Sequence, residues 1–285
     1  MKYCVILLGL YTFYYLNKID TINSPYIQNK IDNAYNNDFG ISLSLIPYFN
    51  RQNLDYIEFY KMIDLIDKKD NDKKIHKKSK ISIKIRQLSD TEEKQQKILE
   101  SIVKYANNRN IFVWISAVLP EDLDNEYYTY IYLRSLGYNN VGITLATYHS
   151  SINTKVNTIL TMGGHIRLVK GYYYGDITNW TLVSELYYLN SVKLIESGYY
   201  HTFATHDFNI LNKLRNKYPI KINNIELAFF YSYLDYANKN SILFNNYKSV
   251  YIPYGNKYLY LIDNLHKINK GMIINRYIKN LLNLS

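Results

Sequence analysis

The sequence predicts an α/β fold, a closed (β/α)8 barrel of the TIM type. Short apolar runs alternate with helical segments along most of the chain, and this alternation favours right-handed βαβ units around a parallel sheet. Seven or eight such units follow one another without a change in connection pattern. The 285 residues exceed the roughly 250 that such a barrel needs. No Gly-x-Gly-x-x-Gly follows a strand, so a dinucleotide-binding Rossmann domain is not supported. A barrel places its active site at the C-terminal ends of the strands.

The individual strands and helices are predicted from residue composition and from the spacing of the apolar residues. Residues 81–85, Ile-Ser-Ile-Lys-Ile, are β-branched and flanked by lysine, as in a strand. Residues 91–107 predict a helix, because Asp90 is a suitable N-cap and Ile98, Ile102 and Val103 fall on one face. Short apolar runs predict the further strands at 111–116, 140–145, 166–169, 201–205, 221–230 and 249–252. The segments between and after them predict helices at 127–136, 151–160, 182–197, 208–216 and 256–268.

Three regions are predicted along the chain. Residues 1–67 form an apolar or helical lead-in, in which 40–47 has strand character and 55–66 has helical spacing. Residues 68–80 are rich in lysine and poor in apolar side chains, so we expect an exposed loop there. The alternative for this loop is a surface that meets anionic lipid or nucleic acid. Residues 81–285 are expected to form the barrel.

Charge and cysteine content limit the function classes. The formal net charge of +10 suits acidic ligands, an anionic membrane or nucleic acid. No nucleic-acid-binding motif accompanies the charge, and we expect no nucleic acid partner. The 33 tyrosines are attributed to A/T-rich coding sequence rather than to function. The single cysteine, Cys4, excludes an intrachain disulfide and a thiolate metal cluster, and it fits an intracellular, reducing compartment.

The N-terminal run from Tyr3 to Leu16 is apolar and follows Lys2. It is too short to span a bilayer comfortably, which takes about 20 residues, and no clear small-residue cleavage site follows it. Two interpretations stay open, a buried or membrane-contacting segment and a targeting or anchoring segment. If the protein is intracellular and associates with a membrane, we expect this N-terminal segment to make the contact.

The most informative stretch runs from Arg167 to Tyr174 and reads Arg-Leu-Val-Lys-Gly-Tyr-Tyr-Tyr. Two cations, Arg167 and Lys170, stand three residues apart at the point where a predicted strand ends. Unpaired cations are too costly to bury, so we expect them to face an anion, a cofactor or water at the strand end. Gly171 allows the backbone to approach a ligand closely. A second motif, Phe-Ala-Thr-His-Asp, occupies residues 203–207.

The two motifs resemble, in the same order, the Arg-Leu-Val-Lys-Gly-Ala-Tyr-Trp and Phe-Ala-Thr-His-Asn motifs of the proline dehydrogenase family, including its PutA type. The resemblance runs from about residue 81 to the predicted C-terminal helix and implies a divergent member. It implies a (β/α)8 flavoenzyme that oxidises L-proline to 1-pyrroline-5-carboxylate with FAD. A membrane quinone would accept the electrons, which the apolar N-terminus and basic loop would suit through peripheral membrane contact.

The resemblance also implies an FAD site. Arg167 and Lys170 match flavin-contacting cations, which favour the anionic reduced ring. His206 matches a histidine that contacts the cofactor. Without the resemblance, the two cations could pair with Asp176 or Glu185, and His206 could be structural. The residues implied to bind the cofactor are Arg167, Lys170, Gly171, Tyr173, Thr205 and His206.

Four residues are implied on the substrate side: Lys84, Tyr251, His266 and Lys267. Lys84 matches a lysine of the family's proline pocket and is a reasonable partner for a carboxylate. Tyr251 opens a Tyr-x-Pro-x-Gly motif and would pack on the pyrrolidine ring. His266 and Lys267 stand where the family has an adjacent arginine pair that clamps the proline carboxylate, and neither offers a bidentate fork. A surface lysine and a core tyrosine are the plainer interpretations of Lys84 and Tyr251.

Other departures from the family also fall in the implied ligand sites. Residues 116–118, Ser-Ala-Val, replace an Asp-x-Glu, and Ala146 replaces a glutamine that reaches the flavin. Ala228 replaces the glutamine of a Glu-Phe-Gln motif, whose glutamate is kept as Glu226. Tyr172 replaces an alanine and could crowd the pocket. A second interpretation therefore stays open, a catalytically degenerate barrel that keeps part of the flavin site and acts as a binding or scaffold protein.

Overall fold

The computed structural model describes residues 21–46, 56–73, 79–116, 122–170, 175–219, 224–240 and 246–255. Eight parallel strands form a closed barrel in sequence order, and the first strand also pairs with the eighth. Helices alternate with the strands, so the predicted (β/α)8 fold is confirmed. The strands are β1 Gly40–Ile46, β2 Lys80–Ile83, β3 Phe112–Ser116, β4 Val141–Ala146, β5 Ile166–Val169, β6 His201–Ala204, β7 Ile225–Phe230 and β8 Lys248–Gly255. The helices are α1 Pro25–Asn36, α2 Ile57–Lys73, α3 Glu92–Asn107, α4 Leu123–Ser135, α5 Ile152–Thr161, α6 Trp180–Glu196, α7 Phe208–Lys217 and α8 Leu234–Asn240.

The strands turn their aliphatic side chains outward, toward the helices. In β2, Ile81 and Ile83 belong to the main hydrophobic core. Ser82, between them, instead receives a hydrogen bond from Arg167 of β5. Because β2 and β5 are not neighbours in the barrel, this bond crosses the interior. Alternation along each strand therefore separates an apolar layer under the helices from a polar barrel interior.

A buried ion pair occupies that interior. Nζ of Lys80 on β2 is hydrogen-bonded to Oε2 of Glu226 on β7, and the two side chains are 6% and 4% exposed. The hydroxyls of Tyr200 and Ser249 also donate to the Glu226 carboxylate, each over 2.6 Å. Burial and then the Glu226 charge raise the pKa of the Tyr200 hydroxyl well above its ordinary value. Glu226 on β7 is thus bonded to Lys80 on β2, to Ser249 on β8 and to Tyr200, the residue directly before β6.

Several predicted boundaries differ from the structure. The barrel begins at Gly40 rather than at residue 81, because β1 pairs with both β2 and β8. Arg167 consequently lies on the fifth strand, although a count of the predicted barrel strands from residue 81 makes it the fourth. The predicted lysine-rich loop is wrong for residues 68–73, which continue α2. The N-cap of α3 is Thr91 rather than Asp90.

Non-local contacts explain the extension of α2. Nζ of Lys69 lies 2.6 Å from Oδ1 of Asp32 on α1. The Asp70 carboxylate accepts hydrogen bonds from the Tyr35 hydroxyl and from both the backbone N–H and the hydroxyl of Ser79. These partners hold a polar, charged segment in helical form, although its composition indicates a loop.

The predicted helix at 256–268 and the N-terminal run lie outside the described residues. Within the described part of the chain, no helix combines the length and apolarity that crossing a membrane requires.

Candidate functional site

A cavity of about 530 Å³ opens at the C-terminal ends of the barrel strands. All eight strands, or the residues directly after them, contribute to its lining. The volume falls within the range of about 300–1,000 Å³ that is usual for small-molecule and cofactor sites. Trp114, Phe229, Phe230 and Tyr251 give it aromatic walls. Its position is the one that barrels of this class use for catalysis.

Six of the predicted site residues converge on this cavity. They lie on or directly after four different strands, β2, β5, β6 and β8, so the barrel closure brings them together from distant parts of the sequence. The six are Lys84, Arg167, Lys170, Thr205, His206 and Tyr251. The other four predicted site residues, Gly171, Tyr173, His266 and Lys267, lie outside the described residues, and their roles stay predictions.

Arg167 projects from β5 into the interior and is only 6% exposed. Its guanidinium donates to three hydroxyls, those of Thr144 at 2.9 Å, Ser82 at 2.8 Å and Ser42 at 3.4 Å. Its Cζ lies 5.4 Å from the ring centre of Trp114. These three hydroxyl acceptors help to hold the guanidinium in place, so Arg167 carries its positive charge at a fixed position in the cavity lining.

Lys170 directly follows β5 and is paired. Its Nζ donates to Oδ2 of Asp207, and the two side chains are 18% and 27% exposed. Burial alone would raise the pKa of Asp207, but hydrogen bonds from Lys170 and from the backbone of Ile210 and Asn209 bring it below its ordinary value. The alternative partner Asp176 is wrong, because that carboxylate accepts from the backbone and hydroxyl of Ser150 instead.

His206 is packed among aromatic rings. It stacks on Tyr233 with 4.1 Å between ring centres and lies 6.0 Å from Phe229. Nε2 accepts a hydrogen bond from the Phe230 backbone at 3.1 Å, so the proton of the neutral ring is on Nδ1. Burial lowers the pKa of His206 to about 4. The imidazole is therefore neutral at physiological pH and offers a donor, not a charge.

The depressed pKa of His206 predicts an acid-sensitive contribution to stability. The unfolded chain binds a proton on this histidine below its ordinary pKa of 6.5, whereas the folded chain does so only below about 4, so stability falls as pH drops from 6.5 to 4. His206→Gln keeps an acceptor for the Phe230 backbone and removes this titration. We expect the native chain to lose about 1–2 kcal/mol more than the variant between pH 7 and pH 5. Urea unfolding at the two pH values measures the difference, and parallel losses would contradict the assignment.

Lys84 follows β2 and is 8% exposed. Among the described residues, its ammonium has no hydrogen bond and no ion pair, although it lines the cavity. Tyr251 on β8 belongs to the same lining, with its ring 6.0 Å from Cζ of Arg167 and 5.7 Å from the ring of Phe230. A buried cation without a partner is costly, and this one faces a cavity where an anionic ligand would compensate it.

The fold has counterparts among solved structures. The structure of proline utilization A from Bdellovibrio bacteriovorus, inactivated by N-propargylglycine, matches with a TM-score of 0.73 at 15% identity, over 91% of this chain and 32% of that one. A Bradyrhizobium japonicum proline utilization A variant matches with a TM-score of 0.68 at 13% identity, over 86% and 30%. A bifunctional proline utilization A matches with a TM-score of 0.66, at 13% identity and the same coverages. The chain has the fold of these barrels.

This likeness to proline utilization A confirms the recognised resemblance at the level of fold. The chain spans about a third of the length of those proteins. No protein-family model matches the sequence, and no curated protein does. Among the departures noted in the sequence, Ser116, Ala146 and Ala228 all lie in the cavity lining, so these replacements change the cavity wall itself.

Glu126 on α4 is a buried carboxyl that sequence reasoning missed. It is 1% exposed and accepts a hydrogen bond from the backbone of Ile85, next to Lys84, whereas its Oε2 has no hydrogen-bond partner among the residues that the structure describes. Burial and then the charge of Asp122 raise its pKa well above the ordinary value, which Lys84 and Arg167 only partly offset. The predicted helix begins at residue 127, one residue beyond Glu126, whereas the observed helix begins at Leu123 and turns Glu126 inward.

Proposed function

We propose that this chain is a flavin-dependent oxidoreductase that oxidises L-proline, or a close analogue, to 1-pyrroline-5-carboxylate. One observation carries the proposal: six residues that two short motifs and two flanking positions predicted for cofactor and substrate line a single cavity. Divergent membership of the proline dehydrogenase family is part of this proposal. The proposal also includes an intracellular location, peripheral membrane contact and a membrane quinone as the electron acceptor.

The donors of the cavity fit FAD. Arg167 supplies a fixed charge, and Nδ1 of His206 supplies a neutral donor, which suits the electron-rich edge of a flavin. The aromatic walls suit a planar ring, and about 530 Å³ is enough for a ring and a small acid. Bound flavin would supply the hydride acceptor. The residues themselves bind and orient the ligands, and the walls exclude water.

The substrate side rests on Lys84. Its ammonium lines the cavity and offers a charge-assisted hydrogen bond to a carboxylate, and Tyr251 offers a flat ring against which a pyrrolidine can pack. His266 and Lys267, in place of an arginine pair, would make the clamp weaker than a bidentate one. We therefore expect weak proline binding rather than none.

A second candidate function is a barrel that binds flavin without turnover. The observation that favours it is the neutral wall formed by Ser116, Ala146 and Ala228, where the resembled family carries carboxylate and amide groups. Such a wall keeps the cavity open but removes polar groups that would orient a substrate. The two functions differ in whether bound flavin becomes reduced.

A visible absorption spectrum tests the proposal. The full-length chain, purified and incubated with FAD, is expected to retain a flavin spectrum after desalting. Anaerobic excess L-proline is then expected to bleach the absorbance near 450 nm on the order of minutes or faster, because hydride transfer reduces the ring. D-Proline at the same concentration is the control. Retained but unbleached flavin would favour the second function, and no retained flavin would contradict both.

A further inference from the structure

The end of β6 places a carboxylate where the resembled motif has a neutral amide. Residues 203–207 end in Asp207 instead of asparagine. Asp207 and Lys170 both line the cavity, and they contact each other directly. The lysine that the resemblance implies for flavin binding thus already has a counter-ion from its own chain.

The position of Asp207 is fixed by the helix that follows it. Asp207 is the N-cap of α7, and its Oδ1 accepts from the backbone N–H of Asn209 at 3.2 Å and of Ile210 at 3.3 Å. The other carboxylate oxygen, Oδ2, meets Lys170. Since one oxygen is held by the helix, the carboxylate cannot turn away from the lysine without losing the cap. Asparagine and serine are also good N-caps, so either would keep the helix start and remove the charge.

We propose that Asp207 is an internal counter-ion that competes with a bound anionic cofactor for Lys170. It would weaken binding of FAD and lower the reduction potential of the bound flavin, because a neutralised cation stabilises the anionic reduced ring less. Asp207 is thereby a residue that tunes the cofactor site without belonging to the motif's binding groups. The inference rests on the proposed function, since it presumes that FAD enters this cavity.

The test compares FAD binding and flavin potential in the full-length chain and in Asp207→Asn. We expect the variant to bind FAD about tenfold more tightly, as for a regained charge-assisted hydrogen bond, and to show a higher reduction potential in dye-coupled equilibrium reduction. Asp207→Ser is a second variant with the same expectation. The matched control is Asp124→Asn, which breaks a Lys–Asp pair of 2.6 Å between Lys155 and Asp124 outside the cavity and should change neither quantity.

The outcomes separate this inference from the proposed function. Equal FAD affinity and equal potential in the native chain and both Asp207 variants would overturn the inference and leave the proposed function standing. FAD binding by the Asp207 variants alone would support the inference and overturn the proposed function for the natural chain. Absence of FAD binding in all of them would overturn both. A gain that Asp124→Asn shares would also overturn the inference, because it would report net charge rather than the pair.

Discussion

Lys84→Met is expected to weaken L-proline binding by about tenfold to a hundredfold while leaving FAD binding unchanged. The ammonium of Lys84 is the cation that faces the cavity without a hydrogen bond or ion pair among the described residues. A hydrogen bond between charged groups contributes about 1.5–3 kcal/mol, and each 1.4 kcal/mol is about a factor of ten in affinity. Methionine keeps most of the length and volume of lysine and cannot donate. Proline titration of the FAD-loaded protein, followed anaerobically, measures the affinity.

The same substitution is expected to raise stability. Lys84 is buried, and among the described residues it has no hydrogen bond and no ion pair, so removal of its charge removes a desolvation cost that no such bond offsets there. A higher urea midpoint together with weaker proline binding would mark Lys84 as a group kept for a ligand. Lys155→Met is the control, because Lys155 is equally buried but paired with Asp124. Wild-type proline affinity in Lys84→Met would remove Lys84 from the substrate site.

The fold could be predicted because barrel strands are short and their apolar runs are distinct. β5 has the predicted bounds, and β3, β4 and β6 differ from them by a residue or so. β1 was noted only as a segment with strand character, because it alternates isoleucine and leucine with serine and lies far from any motif. Its place in the barrel depends on pairing with β8, some two hundred residues away in sequence, which no local pattern reports.

The sequence predicts the part of the site whose residues lie in short recognisable motifs. The two motifs and the positions of Lys84 and Tyr251 are enough to name residues that share one cavity. The pairing of Lys170 with Asp207 depends on the register of β5 against β6, in which Val169 lies opposite Ala204. The sequence offered Asp176 or Glu185 as the alternative partner, and the barrel register brings Asp207 to Lys170 instead.

The side-chain contacts inside the barrel are the part of the structure that the sequence predicts least well. Glu226 was noted as a family match, yet its partner Lys80 lay in the segment that composition assigned to a loop. Only closure of the barrel brings the end of that segment opposite β7. The consequence is a charged pair buried in the barrel interior, and such a pair is sensitive to loss of one partner.

Glu226→Gln is therefore expected to destabilise the barrel by about 3–5 kcal/mol, as for the removal of one partner from a buried ion pair. The variant leaves Lys80 charged at 6% exposure without the carboxylate to which it is hydrogen-bonded, and it weakens the acceptor for Tyr200 and Ser249. A domain has only about 5–15 kcal/mol of stability in total, so a large part of the folded population is at risk at 37 °C. Urea unfolding at pH 7 measures the loss.

Two further variants decide whether charge burial is the cause. Lys80→Met combined with Glu226→Gln removes both charges, and we expect it to recover most of the loss, because the penalty belongs to the unpaired ammonium rather than to the missing bond. Glu93→Gln breaks the Lys97–Glu93 pair of 2.6 Å, whose side chains are 73% and 78% exposed, and should leave the urea midpoint unchanged. If the double variant is no more stable than Glu226→Gln, the hydrogen bonds of Tyr200 and Ser249, and not the ion pair, hold the interior together.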